Sequence, residues 1–92
     1  MDDALIEGLK TKLSLIVAVG SLSTRPEYVE ATSPAKNVAK KFKGEGVDPL
    51  SAAIVLEFFA RTLAQAAGEL DNSAYLGQSY LFAATAFYLL ED

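Results

Sequence analysis

The sequence predicts an all-α fold, a small antiparallel helical bundle, on three observations. Apolar residues recur at three- and four-residue steps in every long segment, and no stretch alternates convincingly with period two. Proline and glycine punctuate those segments at their edges, at Pro26, Pro34, Gly44, Pro49 and Gly68. An apolar content of 51% over 92 residues suffices for one domain, near the small end of chains that fold alone. The expected architecture is three long helices, about 3–19, 49–67 and 72–90, and one short helix, about 34–43, in a single domain over 1–92.

Each element has its own warrant. In the first helix Leu5, Ile6, Leu9, Leu13, Ile16 and Val17 form one stripe. Asp2 or Asp3 caps its start and Gly20 is its expected stop. Residues 21–33 form a connector in which Ser23-Thr24-Arg25-Pro26 allows a short helical turn. The short helix begins with Ser33 as cap and Pro34 at its first position. Lys40, Lys41 and Lys43 lie in its last turns and Gly44 follows. Asp48-Pro49 opens the third helix in the same way, and Gly68 is its expected end. Leu50, Ile54, Phe58 and Leu63 mark one of its sides, with Val55, Phe59 and Thr62 on another. The fourth helix starts near Asn72 or Ser73. Its stripe of Tyr75 or Leu76, Tyr80, Ala83, Phe87 and Leu90 is flanked by further apolar residues, and no charge occurs between Asn72 and Leu90.

That fourth helix has no side suited to water, whereas a helix on the surface of a soluble domain keeps a polar face. A two-fold dimer that covers it is the economical expectation, with Tyr75, Leu76, Tyr80, Ala84, Phe87 and Tyr88 as candidate interface residues. The competing reading makes it the central helix of one subunit. Membrane insertion is disfavoured by Ser73, Gln78, Ser79 and Thr85 and by the lack of flanking Lys or Arg.

Composition removes several kinds of chemistry. There is no Cys and no His, so disulfides, thiolate or imidazole zinc sites and His-dependent nucleophile pairs are excluded. No cofactor or metal is expected, because the acidic residues match no calcium loop and a helical di-iron site needs Glu-x-x-His. A net charge of −4 works against non-specific binding to phosphate backbones. A cytoplasmic location is expected, since the acidic amino end is unlike a secretion leader.

Two polar groupings stand out. Lys36, Lys40, Lys41 and Lys43 form the one basic cluster, read as a solvated, dipole-complementing helix end or as a phosphate-contacting face. Glu57 and Arg61, four apart in the favourable order, form an ion pair inside an apolar helix. One carboxylate and one guanidinium do not make an acid, a base and a nucleophile, so no enzyme activity is expected. Leu76-Gly77-x-x-Tyr80 resembles a fragment of the first helix of a tetratricopeptide repeat. Ser73 occupies the place of that motif's leading aromatic and no repeat recurs, so the resemblance carries no function.

The leading expectation is a small soluble helical interaction module that self-associates and acts through a surface. The alternatives are a nucleic-acid-associated regulator using the Lys36–Lys43 helix and a helical binding protein with an aromatic-lined apolar pocket. A cavity of several hundred cubic ångströms that also holds a polar group favours the last.

Overall fold

Four helices form, α1 (Asp3–Leu22), α2 (Pro26–Gly44), α3 (Pro49–Leu70) and α4 (Ala74–Leu90), in a computed structural model that describes residues 3–22 and 25–91. No strand occurs among the described residues. The all-helical class is as expected, but the proportions differ. The second helix is not short: it starts at Pro26 and carries Pro34 inside it. Pro34 removes one amide donor, but Ala31 and Ala35 on either side are buried against α4, and packing carries the helix through. The role expected of Pro34 belongs to Pro26, with Arg25 at the N-cap position. Asp2, Ser23 and Thr24, candidate start signals in the sequence, lie outside the described residues.

Two glycines expected to stop helices do not stop them. Helix α1 continues through Gly20 to Leu22. Gly20 serves close approach instead, since a Cβ there would run into the Tyr80 ring. Helix α3 continues through Gly68 to Leu70, and Asp71 ends it in the left-handed conformation at φ 48°. Its start is as expected: the Ser51 amide donates to the Asp48 carboxylate over 3.1 Å, the hydrogen bond of an N-cap.

Helix α4 is the centre of the bundle. It packs along α3, α2 and α1, whereas α1 meets α2 and α3 only sparsely. Leu13, Ala53, Ala60, Ala83, Ala86 and Leu90 form one core cluster, and Val17, Ala31, Ala35, Tyr80 and Ala84 form the other. These pairings run α1 and α3 antiparallel to α4 and α2 parallel to it. The core is built mostly of alanine, and among the described residues Leu13 is the one large side chain that is fully buried. Four consecutive small residues of α4, Ala83 to Ala86, are all buried, so neighbours approach this helix from several sides at once. Within them the Thr85 hydroxyl donates to the Leu81 carbonyl at 2.7 Å and leaves no polar atom stranded.

Helix α4 is thus covered by its own chain. The expectation that dimerisation completes the bundle rested on α4 being uncovered, and it loses that support.

Candidate functional site

The apolar surface left without cover lies on α3 and α1. Helix α3 packs on the core with α4 through Ala53, Leu56 and Ala60, and Ala67 is buried on the same side. Its large residues therefore turn outward. Ile54, Val55, Phe58 and Phe59 are between 44% and 55% exposed. Phe58 and Phe59 meet edge to face at 6.2 Å, and Phe59 reaches Phe82 of α4 at 5.9 Å. Among the described helices, α3 is the one long and apolar enough to cross a membrane by length and composition.

A groove opens where α1 and α3 diverge above α4. Leu15, Ile16 and Val19 of α1 face Ala64 of α3 across a floor of Leu76 and Tyr80, enclosing about 390 Å³. Small residues make this space: Gly20 and Ala60 also line it, and neither reaches across. Leu15 and Val19 stay 65% and 70% exposed because nothing fills the gap between the two helices. The Ser79 hydroxyl on the floor donates to the Ala60 carbonyl at 2.6 Å and pins α4 to α3. Tyr80 is buried, packs edge to face on Tyr28 at 5.1 Å, and has its hydroxyl 3.4 Å from the Thr32 Oγ1.

Three charges stand at one end of the groove. Glu57 pairs with Arg61 as its spacing predicts, with Nε 2.8 Å from Oε1. Lys12 of α1 joins them, its Nζ also 2.8 Å from Oε1. Both contacts are charge pairs without hydrogen-bond alignment. The Glu57 side chain is only 9% exposed, while those of Lys12 and Arg61 are 51% and 60% exposed. The Arg61 guanidinium also lies 5.7 Å from the Phe58 ring, so it stands between the groove and the outer face of α3. Sequence reasoning missed Lys12, because nothing local to α1 marks it as a partner of α3.

The lysines sort by helical phase. Lys36, Lys40 and Lys43 share one side of α2, beside Phe87 and Tyr88 of α4, and Lys41 is not among them. Lys43 donates to the Glu91 carbonyl at 2.7 Å and Lys36 lies 5.5 Å from the Tyr88 ring. Lys43 therefore serves the carboxyl end of α4, the electronegative end of that helix. Burial pushes the Tyr88 hydroxyl above the usual tyrosine range, and nearby Tyr80 and Glu91 add to it.

The six residues expected to meet a partner do not form a free surface. Tyr80 and Ala84 are buried inside the subunit, and Tyr75, Leu76, Phe87 and Tyr88 are half-buried. Phe87 and Tyr88 pack on each other at 5.5 Å. Among the described residues no group of acidic side chains is placed to hold a metal ion. Comparison of the chain with protein-family models, curated proteins and solved structures returned no match.

Proposed function

We propose that this protein is a helical interaction module that self-associates through the outer face of α3 and acts by presenting surface, without chemistry of its own. The observation that carries the reading is the exposed quartet Ile54, Val55, Phe58 and Phe59. Glu57, the one carboxylate in that stretch, is buried and held by Lys12 and Arg61 on another side of the helix. A face without carboxylates meets its own two-fold copy with no like-charge repulsion from acids, as an isologous interface requires.

Magnitude sets the expected strength. Four half-exposed large side chains contribute about 1 kcal/mol each on full burial, or about 8 kcal/mol over two copies. Lost translational and rotational freedom offsets about 4 kcal/mol or more of that. At most about 4 kcal/mol remains, so self-association in the millimolar range or weaker follows. The test is sedimentation equilibrium up to concentrations of about a millimolar, with Val55→Glu and Phe58→Glu beside the parent chain. The parent should move from monomer towards dimer as concentration rises, and both variants should stay monomeric while keeping the helical circular dichroism spectrum. A parent chain that is monomeric throughout ends this reading. So does flotation of the parent with neutral liposomes that both α3 variants lose, which would assign the apolar surface to lipid.

A further inference from the structure

We infer that the groove between α1 and α3 is a binding site for a small anionic amphiphile, a free medium-chain carboxylate. Shape and charge argue for it together. The groove of about 390 Å³ falls at the small end of the range of ligand pockets, about 300–1,000 Å³. Its walls are Leu15, Ile16, Val19 and Ala64, which suit an alkyl tail and offer nothing to a polar one. The charged end holds two cations and one anion, a surplus of one positive charge beside an apolar slot. Arg61 lines the groove with its side chain 60% exposed, and it meets Glu57 through Nε.

A carboxylate on the exposed part of that guanidinium gains a charge-assisted pairing of the kind Arg favours. It also brings the cluster to neutrality. An alkyl alcohol gains the same apolar contacts without the charge, and an alkylammonium adds to the surplus. The Lys12–Glu57 pair bridges α1 to α3 at this end, which stops a partner helix from running the full seam between them. The apolar walls lie on the α1 side of α3 and only Arg61 also touches the self-association face, at Phe58, so amides of α1 and α4 tell the two readings apart.

The experiment is a backbone amide NMR titration with octanoate below its micelle concentration, beside octanol and octylammonium. Octanoate should shift amides around Leu15, Val19, Ala64 and Leu76 at saturation. Octanol should bind about three- to tenfold more weakly, since the carboxylate–Arg pair is partly exposed to water, and octylammonium weaker again. Arg61→Gln should leave octanoate and octanol equal. Ala64→Phe, at an exposed position, should fill the groove and abolish binding of all three with the helical spectrum retained. The proposal is overturned if octanoate causes no shifts, or if all three ligands bind alike to the parent chain. It is equally overturned if the shifts centre on Val55 and Phe58, or if Ala64→Phe leaves binding intact. Shifts produced by anionic lipid vesicles but not by octanoate overturn it in favour of a membrane surface.

Discussion

Helices α3 and α4 are both strongly apolar and opposite in fate. Helix α4 carries no charge and is enclosed, while α3 carries Glu57, Arg61 and Glu69 and leaves Ile54, Val55, Phe58 and Phe59 in water. Residue size decides the difference. The run Ala83-Ala84-Thr85-Ala86 lets neighbours approach α4 from several sides. In α3 the small residues that pack closely, Ala53, Ala60 and Ala67, recur every seventh position and so occupy a single side, with the large ones opposite. Hydrophobicity says that a surface wants cover. Side-chain size says which surface receives it from the chain itself.

A glutamate placed on each helix breaks the comparison most sharply. Ala83→Glu buries an unpaired carboxylate at a fully buried position, at a cost of about 3 kcal/mol or more. In a domain with so thin a core, that is enough to unfold most of the population. Val55→Glu on α3 changes an exposed position and should move stability by no more than about 0.5 kcal/mol. Urea denaturation followed by circular dichroism separates the two. Similar losses for both would mean that α3 is as enclosed as α4.

Next in size is the contact that ties α1 to α4. Gly20→Ala gains about 1 kcal/mol of helix propensity but drives a methyl group into the Tyr80 ring. That ring is buried between Tyr28 and Thr32 and has little room to retreat, so overpacking of about 1–3 kcal/mol wins. The expected net change is a loss of about 1 kcal/mol, read from the urea midpoint. A stabilised Gly20→Ala protein would show that the ring moves freely and that α1 is held less closely than the packing implies.

The ion cluster ranks beside it and probes the other edge of α3. Glu57→Gln leaves Lys12 and Arg61 facing each other with no anion between them. Both are more than half exposed and can turn to water, so the cost should stay near 1 kcal/mol, well short of that for a fully buried pair. The deficit should shrink in high salt, which screens the remaining repulsion. A salt-independent deficit would point to packing of the side chain instead of its charge.

Most of what was legible in the sequence was local chemistry. Asp48-Pro49 fixes the start of α3 because cap and proline act within one turn, and Glu57–Arg61 is legible because helical spacing alone brings the two together. Pro34 and Gly20 misled for one reason: each is a local breaking signal, strong in proline and weak in glycine, that tertiary packing overrides, at Ala31 and Ala35 in one case and at Tyr80 in the other. The groove was not legible at all. It exists because α1 and α3 diverge over α4, and no local pattern in either helix encodes that divergence. The small-residue repeat Ala53-Ala60-Ala67 lies in the sequence, but apolar residues on both marked sides of α3 gave no sign of which side the chain itself would cover.

The smallest expected effect comes from the entry to α3 and separates local capping from tertiary cover. Asp48 is fully exposed, and its carboxyl is held below the ordinary range first by the Ser51 hydroxyl and then by the Ser51 amide, against slight desolvation. A folded-state value below the unfolded one gives stability that is present above the unfolded pKa of about 3.9 and lost as pH falls through the lowered folded value. The side chain introduced by Asp48→Asn still accepts from the Ser51 amide but carries no charge. The parent should therefore melt slightly above the variant at neutral pH, and the gap should close as the solution is acidified below about pH 4. Thermal melts of both proteins across that range make the check, and a gap that persists unchanged in acid would place the benefit of Asp48 in shape and not in charge.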